Sequence, residues 1–324
     1  MNFPIYIFIF AATLDFLIGD PVSWLHPVQV MGWFISKLSQ LALKFCHNRF
    51  SQRFAGVVIG VTLILGSGVV AGLIIHFVTA IHPLVGMIFQ IIMLSSCFAL
   101  GSLTNAAKSV LNSLATGDIE QTRSILSGYV GRDTANLTEA EILRAVLETV
   151  AENATDGVMA PLFYAIVGGF IPFIGALPFA FAYKASSTLD SMIGYKTEPY
   201  IHIGWFSARF EDYFTWIPCR FAIITLALIS AKPGEVWRIC RRDAPQDPSP
   251  NSGWSESAYA AVLGVQMGGV NSYQGITKYK PLLGDSIYPI KAQTIYKALQ
   301  LTRNSFLLWL GVSIVIAIAL SHAS

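Results

Sequence analysis

Six apolar stretches dictate what this chain can fold into. They run at roughly 3–19, 55–78, 82–103, 158–182, 213–231 and 305–321, and about 20 apolar residues in a helix match the hydrocarbon core of a bilayer. Every backbone N–H and C=O in lipid needs a partner, so a spanning segment is a helix or part of a closed barrel. Few alternating β-branched runs appear, which leaves the helix. Composition agrees: 54% of the 324 residues are hydrophobic and 12% are charged, against about 25% charged in an ordinary soluble domain. The reading is an all-α, polytopic integral membrane protein with cytoplasmic helical loops, one membrane-embedded domain over 1–324. A net charge of +2 gives no reason to expect a nucleic-acid partner. Cys46, Cys97, Cys219 and Cys240 form no C-x-x-C pair and are read as packing residues.

The first stretch has no Lys or Arg before it and no small-x-small cleavage signal, and Asp15 lies inside it; it is read as an uncleaved first span. The connection between the second and third stretches carries no Lys or Arg. The segments 20–53 and 105–157 carry four each, and 232–304 carries nine. By the positive-inside rule those three segments face the cytoplasm, and chemistry is expected on that side of the cell (inner) membrane.

Two stretches are irregular. Pro161, Gly168-Gly169, Pro172, Gly175 and Pro178 predict a broken or re-entrant segment over 158–182. Arg220 falls near the centre of 213–231, where a lone charge costs about 2.5–3.5 kcal/mol on insertion scales. It must pair, snorkel or line a polar cavity.

Polar residues gather in four places. Gly19-Asp20-Pro21 with His26-Pro27 follows the first span. Gly131-Arg132-Asp133 precedes a helix announced by Thr138-x-x-Glu141, a capping-box pattern. On that helix Arg144, Glu148, Glu152 and Asp156 fall four apart in one line, with Ile142, Leu143, Val146, Leu147 and Val150 opposite. Successive carboxylates at i,i+4 repel, so the line is either a solvated acidic face or a divalent-cation site. In the third cluster, Lys184, Ser187, Thr188 and Ser191 share a helix face that Gly194 would end, and Lys196, Arg209 and Asp212 follow. An ammonium among hydroxyls suits phosphate oxygens, or the face simply packs on a neighbouring helix. The fourth runs from Arg241-Arg242-Asp243 through Ser249-Pro250-Asn251 to Gly268-Gly269, with paired arginines that suit a polyanion or an inside-positive anchor. No nucleotide signature appears: Gly194-Tyr-Lys196-Thr197 has Leu189 where a P-loop needs its first Gly.

The blocks GDPVSWLHPVQVMG (19–32), GRDTANLTEAEILRAVLETVAENATDGVMAPLFYAIVGG (131–169), YKASSTLDSMIGYK (183–196), GWFSARFEDYFTWIPCR (204–220) and SPNSGWSESAYAAVLGVQMGG (249–269) closely resemble the CobD/CbiB family of adenosylcobinamide-phosphate synthases. The departures are Ser187 and Thr215 where the family often has Asn, Glu211 where it often has Asp, and Asp247 where many members carry His. The resemblance implies ATP-dependent amide ligation of adenosylcobyric acid with (R)-1-amino-2-propanol O-phosphate, with Mg²⁺ accompanying ATP. A corrinoid, an aminopropanol phosphate and the lipid bilayer are then the partners, and contact with other membrane enzymes of the same pathway is allowed. That chemistry assigns metal binding to Glu148, Glu152 and Asp156. It assigns substrate and phosphate binding to Lys196, Arg209, Arg220, Arg132 and Asn251, and catalysis to Lys184 with Asp190 or Asp212 as base. The same family resembles AmpE-type membrane proteins, so a non-catalytic signalling role is one alternative and a small-solute transporter another. A transporter would carry its charges inside the spans; here only Asp15 and Arg220 lie within apolar runs.

Overall fold

A computed structural model describes residues 3–19 and 26–323. In chain order its helices are α1 (Ile5–Ile18), α2 (Pro27–Phe45), α3 (Arg49–Ile81), α4 (Pro83–Ser95), α5 (Leu100–Ala115), α6 (Ile119–Ser127) and α7 (Glu139–Asn153). A π-helical turn, Ala154–Met159, leads into α8 (Ala160–Phe170), α9 (Ala176–Ile193), α10 (Trp205–Ile229) and α11 (Pro233–Asp243). A short 3₁₀ turn precedes α12 (Ser252–Leu263), strands β1 (Met267–Tyr273) and β2 (Ile276–Leu283) follow, and α13 (Ala292–Ala323) closes the chain. The protein is mostly helical, as the composition demands. The antiparallel hairpin β1–β2 is the departure from an all-helical expectation.

Arg49–Ile81, Trp205–Ile229 and Ala292–His322 are long and apolar enough to cross a membrane, and Pro83–Ser95 with Leu100–Ala115 make one further, bent candidate. This is a membrane protein. The α3 side chains Leu65, Val69, Leu73 and Phe77, like Val315 and Ile316 of α13, are exposed, which suits contact with lipid tails. The first apolar stretch forms a helix of 14 residues, about 21 Å long and short of a full hydrocarbon crossing. The break expected in 158–182 is present: α8 ends at Phe170, α9 begins at Ala176, and Gly175 between them takes φ 87°.

The chain packs as two compact units, each assembled from separated stretches. One comprises Met1–Ala99, Ala160–Thr215 and Trp309–Ser324; the other comprises Leu100–Met159 and Trp216–Leu308. In the first, α2, α3 and α9 enclose Met31, Ile35, Ile59, Ile64, Ala185, Leu189 and Ile193, with Ile203 beside them. Gly56 and Gly60 of α3 permit this packing. A Cβ at Gly56 would stand 2.0 Å from the Ile203 carbonyl oxygen, and one at Gly60 would stand 2.5 Å from the Phe206 ring. Small residues four apart let membrane helices approach this closely.

In the second unit α7 packs on α5, α6 and α12, and α12 on α11 and the hairpin. The helix α7 starts where its sequence says: Thr138 N donates to Glu141 Oε2 at 2.8 Å, and Glu141 N donates to Thr138 Oγ1 at 3.4 Å. Its apolar side, Ile142, Leu143, Val146, Leu147 and Val150, is buried. The hairpin turns at Gln274-Gly275, both at positive φ, the conformation that matches strand twist in a two-residue turn. A bulge at Gly268 shifts its register. There φ is 89° and a Cβ would lie 1.9 Å from the Pro281 carbonyl oxygen, so only glycine fits.

Candidate active site

The second unit gathers six of the sequence-selected residues, and its centre is Glu148. This carboxylate is 1% exposed. Arg132 Nη2 donates to its Oε2, the Gly268 amide donates to Oε1 at 2.8 Å, and Arg144 Nη1 stands 3.6 Å away. Arg144 in turn donates to the Gly268 and Val270 carbonyls and to Asn271 Oδ1, which also accepts from Arg132 Nη1 at 2.9 Å. The hairpin is thus pinned to α7 through two arginines around one buried glutamate. Asp133 holds the far end, accepting from Ser272 Oγ, Gln274 N and Gly275 N. The Ser272 hydroxyl first, then the two amides, keep its carboxyl below the usual range. The repulsion along Glu148-Glu152 is therefore answered at Glu148 by protein cations. Asp156 lies in the π turn, whose wider winding rotates it from the line that α geometry would draw.

Glu152 stays open to solvent, yet protein surrounds it. Burial first, then the charges of Asp247 and Glu148, raise its pKa against the pull of Lys280 and Arg132. On α12, Glu256 is 0% exposed. Its Oε1 accepts from Lys280 Nζ at 2.9 Å, while Oε2 has no partner, nor does Asp247 Oδ2. Burial pushes Glu256 up to about 8, with Glu152 and Glu148 adding to the effect and Lys280 opposing it. Burial disfavours the Lys280 charge, but the Glu256, Glu152 and Glu148 carboxylates outweigh this and hold the ammonium above its ordinary value. Ser255 binds α12 to α7 beside them, donating to the Ala151 carbonyl at 2.6 Å and contacting Thr155 Oγ1 at 2.7 Å.

This cluster sets a pH dependence. The folded protein holds Glu256 at about 8, above its ordinary 4.5, so folding favours the protonated carboxyl. The resulting stability is complete below 4.5 and is lost as pH rises through about 8. The thermal midpoint of the detergent-solubilised protein is expected to fall across that window, and Glu256→Gln to flatten the decline. A wild-type midpoint that holds level there would contradict this placement of Glu256.

Arg220 and Asn251 meet: Nη1 donates to Asn251 Oδ1 at 3.2 Å, and the guanidinium lies over the Trp216 and Trp254 rings at 4.9 and 4.6 Å. The Arg220 guanidinium is turned onto α12. The remaining candidates belong to the first unit. Lys196 and Arg209 lie within electrostatic range of Asp212, so these three form a group. Lys184 and Asp190 sit on α9, six residues and about 240° apart, on different faces. The hydroxyls near them are committed to their own helix: Thr188 Oγ1 donates to the Lys184 carbonyl at 2.7 Å, and Ser191 Oγ to the Thr188 carbonyl at 3.0 Å. Neither is the spare phosphate donor that its spacing suggested. Gly194 ends α9 as expected. Asp20 and Pro21 fall outside the described residues.

Glu256, Lys280, Asp247 and Asn271 were not legible as site residues. A signal existed in Ser255-Glu256-Ser257, three polar residues inside an alanine-rich helix, which are buried here. Nothing local ties Lys280 to them, because a strand pairing delivers it.

Fold and cluster define a class: a helical membrane protein with a buried network of carboxylates, arginines and a lysine, partly open to solvent. Comparison with known proteins narrows the class. The chain belongs to the CobD/CbiB family, whose model, described as CobD/Cbib protein, matches residues 8–302. It is 52% identical over 310 residues to the "Cobalamin biosynthesis protein CobD" of Synechocystis sp., covering 95% of this chain and 91% of that one. It is 41% identical over 290 residues to the protein of the same name from Geobacter metallireducens, covering 87% of each. It is 37% identical over 315 residues to the "Cobalamin biosynthesis protein CbiB" of Salmonella typhimurium, covering 96% and 95%. No solved structure matches the chain.

Proposed function

We propose that this protein acts in cobalamin biosynthesis as an ATP-dependent ligase, joining a carboxyl of adenosylcobyric acid to the amine of (R)-1-amino-2-propanol O-phosphate. The observation that carries this reading is the charged network around Glu148, Glu152, Glu256 and Lys280, whose three carboxylates lie on segments that resemble the family. A carboxylate is a poor electrophile, so its oxygen would take the terminal phosphoryl group of ATP, releasing ADP. The amine would then attack the acyl carbon, phosphate would leave, and the amide would form as the amine loses its proton.

The site suits a hard divalent cation. Its donors are all carboxylate oxygens, and Glu256 Oε2 and Asp247 Oδ2 are buried without partners. Among the described residues no three His, Cys, Asp or Glu side chains converge to hold a metal alone, so phosphate oxygens would have to complete a magnesium site that uses one or two carboxylates. Glu152, with Glu256 or Asp247, would hold it; Glu148 is committed to its arginines. When bound, Mg²⁺ would neutralise the phosphates during transfer. The positive-inside pattern puts the chemistry on the cytoplasmic face of the inner membrane.

The test is direct. Purified protein in detergent, given ATP, Mg²⁺, adenosylcobyric acid and aminopropanol phosphate, should release ADP only when both organic substrates are present. ADP release that ignores either substrate, or none at all, rejects the ligase. Glu152→Gln should lower turnover by at least about a hundredfold, as loss of an electrostatic stabiliser does, while leaving the helical circular dichroism unchanged. A fully active Glu152→Gln would remove this residue from the site.

A further inference from the structure

We infer, independently of the ligase reading, that a groove in the first unit holds one acyl chain of an anionic phospholipid, with Lys37 placed to meet the headgroup.

Helices α2, α3, α4 and α9 line the groove. Both α2 and α4 pack on α3 and α9, and the space lies between them. Its volume is about 590 Å³, roughly four times the ~150 Å³ apolar cavity that admits one benzene ring. Close-packed protein does not leave so large a gap unfilled, and apolar walls do not hold water. The space arises at Gly66 of α3, where no atom stands within 4 Å of the point a Cβ would occupy. Apart from Thr62 and Ser67 the lining is apolar, and the Ser67 hydroxyl is already spent on the Ile64 carbonyl at 3.0 Å. Such walls recognise hydrocarbon and offer no charge to a nucleotide.

Two observations name the occupant. The groove runs along residues 62–74, in the interior of the candidate span Arg49–Ile81. Its lining residues Phe34, Val70 and Ile74 are exposed beside Leu65, Val69 and Leu73 of the same lipid-facing surface, so lipid tails stand at its mouth. The second observation is charge. On α2, Phe34, Lys37, Leu41, Lys44 and Phe45 share one exposed face, the mixture of apolar and basic residues that marks a helix at the headgroup boundary. Lys37 stands one turn from Phe34 and next to Leu38, both groove residues. Neither Lys37 nor Lys44 has an ion-pair partner among the described residues, and residues 21–117 contain no Asp or Glu. An anionic headgroup supplies the missing charge while its chain fills the groove.

The test is lipid binding without turnover, so it stands whatever an ATP assay shows. Full-length protein in non-ionic detergent is stripped of lipid and titrated with dipalmitoyl phosphatidylglycerol or phosphatidylcholine, and native mass spectrometry counts the lipids retained. Wild type should retain one phosphatidylglycerol saturably and phosphatidylcholine more weakly. Gly66→Phe fills the groove where nothing obstructs it. It should keep the helical circular dichroism and bind at least tenfold more weakly, which exclusion of about two methylenes already accounts for. Lys37→Gln should lose about fivefold for phosphatidylglycerol and nothing for phosphatidylcholine. If Gly66→Phe fails to fold, Val70→Trp on the exposed rim takes its place. No retained lipid in wild type, or undiminished affinity in a folded groove-filling variant, overturns the site. A dimer that Gly66→Phe converts to monomer assigns the groove to a second copy and overturns it as well. Equal affinity of wild type for the two lipids, or an unchanged affinity of Lys37→Gln for phosphatidylglycerol, overturns the headgroup contact.

Discussion

Arg132→Leu is expected to cost about 3–5 kcal/mol of stability, the range for removing one partner of a buried ion pair. The side chains of Arg132 and Glu148 are 7% and 2% exposed. Without Arg132 the glutamate keeps only the Gly268 amide and a more distant Arg144, whose donors already serve the hairpin carbonyls. An uncompensated buried carboxylate then either takes up a proton or pulls in water, and in both cases the hairpin loosens from α7. The second mutation Glu148→Leu in the same chain should recover a large part of the loss, since it removes the stranded charge. Chemical denaturation in detergent, followed by circular dichroism, measures both. A cost within about 1 kcal/mol, the worth of an exposed pair, would mean that the pair does not hold the hairpin.

Lys280→Met should be the most damaging change on the hairpin. The ammonium is the one protein cation within hydrogen-bond distance of Glu256 among the described residues, and it also opposes the charge on Glu152. Its removal leaves Glu256 buried with neither oxygen paired, so the carboxyl would stay protonated to still higher pH. Above about pH 8, where the wild-type Glu256 carboxyl is ionised, a loss of about 3–5 kcal/mol is expected by the same reasoning, together with loss of turnover. Lys280→Arg should keep much of the stability because the charge remains, and Lys280→Met with Glu256→Gln should restore it because no charge is stranded. Failure of the double substitution to improve on Lys280→Met would show that the lysine acts by packing its stem rather than by balancing charge.

The chain determined a good deal by itself. Apolar runs and sparse charge dictate membrane helices, because lipid offers the backbone no hydrogen-bond partner. Thr138 and Glu141 place the start of α7, since a capping box is a local arrangement readable from its spacing. Prolines and glycines forecast the break between α8 and α9 for the same reason. The partners of the charges were decided only in three dimensions. Spacing alone could show that Glu148 and Glu152 share a helix line, but not that Arg132 and Arg144 would neutralise one and leave the other open. Lys280 reaches Glu256 through a hairpin whose register depends on a bulge at Gly268, and Arg220 meets Trp254 and Asn251 across 30 and more residues of chain. Capping, periodicity and hydropathy are short-range properties of a sequence. A buried charge takes its partner from wherever tertiary packing brings one, and that choice is not written beside it.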